Sequence, residues 1–201
     1  GDVTKKAVIT AFVDVSQYWV AWQITGGKAG EASFGSITPA ASTVWNPYGA
    51  CVAPVSDDLS DGLLFIGYSA DANGSYDLNW CKDVAASEWK SVFHTSSAGN
   101  ENYNCISVAT LNGIRFCAVE RGAHFSWGSC PEVYLFDITD LNSVKESYYV
   151  DWMTVAEEGA YTGAGACSDV LLQTAADGKT MDMFVTDGNY DCLTCIRFTA
   201  Q

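Results

Sequence analysis

A cysteine returns three times in the same setting, in Gly49-Ala50-Cys51-Val52-Ala53, Tyr103-Asn104-Cys105-Ile106-Ser107 and Gly165-Ala166-Cys167-Ser168-Asp169. Behind each comes an apolar stretch, a polar turn, a second apolar stretch, a loop, and a third stretch rich in aromatic and β-branched residues. The cysteines stand 54 and then 62 residues apart, in or near the range of propeller and solenoid repeats. This recurrence settles much of the architecture and indicates which loops share a face.

The second repeat is the clearest. Cys105 to Ala109 leads to Asn112-Gly113, a strong hairpin signal, and Ile114 to Val119 returns. A loop from Glu120 to Pro131 precedes Glu132 to Ile138, and Lys145 to Trp152 supplies a fourth strand. Four short antiparallel strands of this kind make one propeller blade. The first repeat runs in parallel through Cys51–Val55, Leu63–Tyr68, Ser75–Cys81 and Glu88–Phe93, although Asp83 to Phe93 also has helix-favouring residues. The third gives three strands, with a turn at Ala176 to Lys179 and no fourth strand. Ahead of them, Ala7–Val15, Tyr18–Thr25 and Glu31–Ile37 read as three more.

Fourteen strands grouped three, four, four and three are therefore expected, in an all-β, β-propeller-like array of about four short antiparallel sheets. The array is one domain, with a partial blade over 1–40, blades over 45–97 and 102–152, and a partial blade over 161–201. It either closes as a ring or forms an arc of a larger propeller. An arc would leave sheet edges open to another chain, so homo-oligomers through those edges are a further expectation. A β-sandwich is the alternative, since it too has many short strands and frequent turns.

Hydrophobic residues make up 48% of the chain and charged ones 17%, enough for a core and too little charge for disorder. The net charge of −14 disfavours nucleic acid and anionic membrane surfaces as partners. No apolar run reaches the roughly 18 residues of a spanning helix, so membrane insertion is not expected. No cleavable signal segment is seen in the sequence, and a secreted protein whose leader has been removed would look the same. Few lysines, seven tryptophans and abundant Gly, Ser, Asn and Asp fit an extracellular, cell-surface or periplasmic location. Eight cysteines permit up to four disulfides, or buried thiols acting as small hydrophobes, and the sequence leaves both open.

In a propeller, the loops between second and third strands and between blades emerge on one face, where rigid blades hold variable loops. Here those loops carry Trp45, Tyr48, His94, Glu101, Tyr103, Arg121, His124, Trp127 and Tyr161, the candidate ligand-binding residues. Their aromatic rings can stack on sugars or anchor a protein partner, with amides and carboxylates bonding hydroxyls. Asp71-x-Asn73-x-Ser75-x-Asp77 and Asp187-x-Asn189-x-Asp191 place oxygens at alternate positions, so Ca2+ is a candidate cofactor. Such strings also serve simply as turns. Asn73-Gly74-Ser75 is a glycosylation sequon in a eukaryotic secreted protein. Cys192-x-x-Cys195 lacks the second pair of a zinc ribbon and lies in a stretch that reads as strand. No Gly-x-Ser-x-Gly, His-Glu-x-x-His or Walker pattern occurs. Glu101, Glu120, Glu157 and Glu158 are the carboxylates a glycosidase could pair.

Val133-Tyr134-Leu135-Phe136-Asp137-Ile138-Thr139-Asp140 and Ala175-Ala176-Asp177-Gly178-Lys179-Thr180 resemble blade motifs of secreted β-propeller-like repeat proteins, of the kind found among surface lipoproteins of gut Bacteroidetes. The resemblance covers 100 to 150 residues and implies a surface-exposed binding module linked to glycan capture or adhesion. It transfers no catalytic residue. The expected function is a secreted or cell-surface module binding a glycan or protein ligand through loops on one face. The alternatives are a glycan-active hydrolase or lyase with paired carboxylates, and an assembly scaffold without a small ligand.

Overall fold

The computed structural model of the chain describes residues 4–13, 16–25, 28–37, 43–44, 52–56, 60–69, 76–83, 89–95, 102–122, 132–151, 167–187 and 192–201. Among these residues there are fifteen strands, no helix, and only antiparallel pairings. The chain divides into two compact units, Gly1–Ser97 and Ala98–Gln201, each containing two sheets.

In the first unit, β1 (Thr4–Val13), β2 (Ser16–Thr25) and β3 (Lys28–Ile37) form a meander. Its register joins Val13 to Ser16 and Thr25 to Lys28. The second sheet contains β4 (Thr43–Val44), β5 (Val52–Pro54), β6 (Leu63–Ser69), β7 (Tyr76–Cys81) and β8 (Lys90–Thr95). Both β4 and β5 pair with the same edge of β6, one at Tyr68–Ser69 and the other at Leu63–Phe65. The first strand of this sheet is thus split in two. Pro54, which lacks an N–H, is tolerated because β5 is an edge strand. Leu63 to Ile66 is an unbroken apolar run, and all four residues are fully buried, as a strand covered on both faces requires. Trp89 meets Phe65 edge-on at 6.0 Å between ring centroids.

In the second unit, β9 (Asn102–Leu111), β10 (Ile114–Gly122), β11 (Glu132–Asp137) and β12 (Lys145–Asp151) follow one another across a four-stranded sheet. A three-stranded sheet holds β13 (Cys167–Thr174), β14 (Thr180–Asp187) and β15 (Cys192–Thr199). Asn112 and Gly113 both have positive φ, 50° and 81°, the conformation that the two-residue turn between β9 and β10 demands.

These two sheets pack face to face. Leu111, Ala118, Val133 and Leu135 on one meet Val170, Leu172, Met181, Met183 and Val185 on the other. Each large side chain fully buried here stabilises the fold by about 1.5–3 kcal/mol over leaving it in water. At the far end of the interface Tyr148 of β12 meets Phe198 of β15 edge-on, 5.5 Å between centroids. At the near end β9 runs beside β13, the end strand of its own sheet.

The outward backbone groups of β13 at Val170 and Leu172 find partners in side chains of β9. The Ser107 hydroxyl accepts the Leu172 N–H at 2.9 Å, and the Cys105 thiol lies 3.6 Å from the Val170 carbonyl and also donates to the Asp169 carboxylate. The hairpin tips are tied as well, since Asn112 N–H donates to the Gly178 carbonyl at 2.8 Å. On the outward face of the last sheet, Arg197 grips Asp182 with two bonds of 2.7 Å and holds that carboxyl below its usual range. Any stability this pair contributes is present above the ordinary carboxylate range and fades as pH falls through it. The guanidinium is 65% exposed, so the contribution is small.

The expected four sheets are present, with three, five, four and three strands. The fifteenth strand is β4, in a stretch the sequence presents as a connector. The helical option over 83–93 gives way at β8, where Lys90 to Trp80 and Phe93 to Leu78 are cross-strand partners; tertiary pairing overrides local propensity there.

Two glycines with the same backbone conformation should respond differently to substitution. At Gly62 (φ 83°) a Cβ would come within 2.0 Å of the Cys81 carbonyl oxygen, whereas at Gly113 (φ 81°) nothing lies within 4 Å. Gly113→Ala should cost about 1–2 kcal/mol of backbone strain. Gly62→Ala should cost clearly more, or prevent folding. Urea unfolding of both variants checks this, and equal midpoints would contradict it.

Candidate functional site

A cleft of about 440 Å³ opens in the first unit at one end of the second sheet, lined by Ser60, Trp80, Lys82, Asp83 and Lys90. Its construction begins with Gly62, whose missing side chain lets the 60–62 segment lie directly on Cys81 and Lys82. Val55 N–H donates to the Gly62 carbonyl at 3.0 Å, and Asp61 N–H donates to Ser56 Oγ at 3.1 Å, closing the loop on itself. Opposite, the buried Cys81 thiol donates to the Asp83 carbonyl at 3.2 Å and fixes the turn that carries Lys82 and Asp83.

Trp80 joins the two walls. Its indole N–H donates to the Asp61 carbonyl at 2.7 Å, which fixes the plane of the ring. Register pairs Trp80 with Lys90 across β7 and β8, and the Lys90 ammonium stands 4.6 Å from the indole centroid. At an exposed position such a cation–π contact stabilises by about 0.5–1 kcal/mol. Lys82, Asp83 and Lys90 are exposed, so the cleft offers an aromatic surface, two ammonium groups, a carboxylate and a hydroxyl to solvent.

None of these residues is among those the sequence singled out. Trp80 and Lys90 read there as strand residues, and their meeting depends on the β7–β8 register. The available signal was Trp80-Cys81-Lys82-Asp83 ending one strand and Lys90 opening the next. Of the residues that the sequence does single out, His94 lies exposed in β8, at the register position opposite Asp77 of β7. Tyr103 and Arg121 are register partners near the ends of β9 and β10. Trp45, Tyr48, Glu101, His124, Trp127 and Tyr161 lie outside the described residues.

For the calcium candidates, Asp77 is in β7, and Asp187 ends β14 opposite Cys167 and Cys192. Asp71, Asn73, Asn189 and Asp191 lie outside the described residues, and among those described no three His, Cys, Asp or Glu side chains gather as a metal site. Cys192 and Cys195 both belong to β15, three residues apart, Cys192 at the register position opposite Asp187 and Cys195 opposite Phe184.

Cys81, Cys105, Cys117 and Cys195 are free thiols. Cys117 is fully buried, and burial, with the nearby Cys105, pushes its ionisation far above the ordinary thiol range. It serves as a core hydrophobe rather than a nucleophile.

Small antiparallel sheets define an all-β protein, with an aromatic, lysine-flanked cleft at the end of one sheet. Residues 1–199 match DUF8500, described as a domain of unknown function, and the chain belongs to that family. No curated protein matches the chain.

The thiol placements set an order of reactivity. With iodoacetamide at neutral pH and peptide mapping, Cys195 should label first of these four, and Cys81 and Cys117 only on unfolding. Because the folded state holds Cys117 protonated, its contribution to stability is intact below the ordinary thiol pKa and declines as pH rises above it. Cys117→Ala should therefore show a weaker alkaline loss of stability than the parent. Rapid labelling of native Cys117 would contradict the assignment.

Proposed function

We propose that the protein is a secreted or cell-surface binding module with a β-propeller-like arrangement of its sheets, and that it holds a glycan at the Trp80 cleft. The observation that carries this reading is the fixed indole of Trp80 in an open cleft, beside groups able to bond hydroxyls. An aromatic ring locked by a backbone hydrogen bond can stack on a sugar without paying side-chain entropy on binding. The propeller-like arrangement draws support from the face-to-face packing of the last two sheets, which brings their first strands, β9 and β13, side by side.

A paired-carboxylate hydrolase draws no support from this cleft, whose lining includes one carboxylate, Asp83. The assembly reading rests on a different observation. Leu171 and Leu193, on the outward face of the last sheet, are 53% and 63% exposed. Association there would bury them.

The test is a glycan-array screen of the purified chain, with and without calcium. Selective binding that falls at least about tenfold in Trp80→Ala, with the fold intact by circular dichroism, is expected. Calcium dependence would bring in the oxygen-rich strings at Asp71–Asp77 and Asp187–Asp191. Binding untouched by Trp80→Ala would place the ligand elsewhere.

A further inference from the structure

We propose that the outer edge of β15 is a docking site for one extended, uncharged strand of a partner polypeptide, which completes the last sheet as its fourth strand. This site is independent of the Trp80 cleft. The direction of the backbone groups follows from one bond. Ala200 N–H donates to the Lys179 carbonyl at 2.9 Å, and the β14–β15 register continues from there through Thr180 and Thr199. Hydrogen-bonded pairs alternate along an antiparallel ladder, so Phe198, Ile196 and Thr194 bond toward β14. Leu193, Cys195, Arg197 and Thr199 therefore turn their N–H and C=O groups away from it. The outward groups of β13 meet side chains of β9, but among the described residues no strand pairs with the outer edge of β15.

Natural sheets blunt their exposed edges with proline, bulges or charge. Across its eight residues β15 has no proline, no register shift against β14, and one charged side chain, Arg197. That charge is already matched by Asp182 of the same sheet. The edge is long, regular and nearly neutral, which favours an uncharged strand over an acidic or basic one.

The space beside it is apolar and one strand wide. The facing sheet has four strands against three, with β9 beside β13 at one end. Counted across from there, β12 stands opposite a place that the smaller sheet leaves unfilled. Tyr148 of β12 reaches Phe198 of β15 yet stays 45% exposed, and Ile196 and Phe198 are only partly buried. The apolar interface between the two sheets thus continues past β15. A fourth strand there would lay alternate side chains against Tyr148 and Phe198 while its backbone met the edge. A second copy of the chain fits the space poorly. Antiparallel pairing of β15 with its own copy sets both four-stranded sheets on one side of the joined sheet, where the two β12 strands would compete for the same room.

The experiment takes the whole chain and a panel of blocked peptides of about nine residues that alternate threonine with Val, Leu, Phe or Tyr. Binding is read by calorimetry and by amide hydrogen exchange. In the free chain the amides of Leu193, Cys195, Arg197 and Thr199 should exchange fast while those of Ile196 and Phe198 stay slow. At least one peptide should slow the first set selectively, and its fully N-methylated counterpart should not. Cys195→Pro removes an outward N–H and no bond to β14, so it should weaken binding about tenfold with the fold intact by thermal unfolding. Tyr148→Ser leaves the edge as it is and tests the apolar wall independently; it too should weaken binding. Slow exchange of the outward amides in the free chain at every concentration would show the edge already covered and overturn the proposal. Slowing that grows with protein concentration would replace the partner strand with a second copy. Failure of every peptide to protect these amides, or binding that both variants leave unchanged, would also overturn it.

Discussion

An end strand of a sheet has backbone donors and acceptors that must find partners, and in the second unit this requirement organises two sheets at once. The side chains of Cys105 and Ser107, two apart on β9 and therefore on one face, reach the Val170 carbonyl and the Leu172 N–H on β13. A buried polar group left unpaired costs about 1–3 kcal/mol, so this lateral capping matters as much as a core contact. It holds β13 beside β9, which in turn brings Val170, Leu172, Met181, Met183 and Val185 onto the apolar face of the four-stranded sheet. The recurring cysteine thus has a physical role where its side chain is described. It is a small, weakly polar group that fits between two sheets and still donates a hydrogen bond.

The cleft in the first unit depends on the same economy of space. Gly62 is the one residue type that lets the 60–62 segment lie against Cys81, and the buried Cys81 thiol then anchors the next turn. Trp80 is pinned at its ring edge by the Asp61 carbonyl, and the Lys90 ammonium stands 4.6 Å from the ring centroid. The groups that hold the sheet end together are therefore the ones that shape the aromatic surface.

Much of the strand pattern was legible in the sequence, and the site was not. Asn112-Gly113 announces its hairpin because few residue pairs accept two consecutive positive φ values. The alternation of β14, with Met181, Met183 and Val185 buried and Asp182 turned outward, is equally plain. The split of the first strand into β4 and β5 was hidden, since two-residue pairing leaves no periodic trace. The cleft was hidden for a different reason. Trp80, Lys82, Lys90 and Ser60 come from three separate segments, and only the register of β7 on β8 and the collapse allowed by Gly62 bring them together. Expectation favoured loop residues such as Trp127 and Tyr161, which lie outside the described residues.

The central claim is that the two sheets of the second unit are clamped along their first strands, β9 and β13, by side chains that satisfy an otherwise open edge. Amide hydrogen exchange at Leu172, in the parent chain and in Ser107→Ala, tests it most directly. On this account the Leu172 amide is protected to nearly the level of the core strands, although β13 ends its sheet. Ser107→Ala should accelerate its exchange selectively while amides bonded between β13 and β14 remain slow. Fast exchange at Leu172 in the parent, or no change on removing the hydroxyl, would contradict the claim.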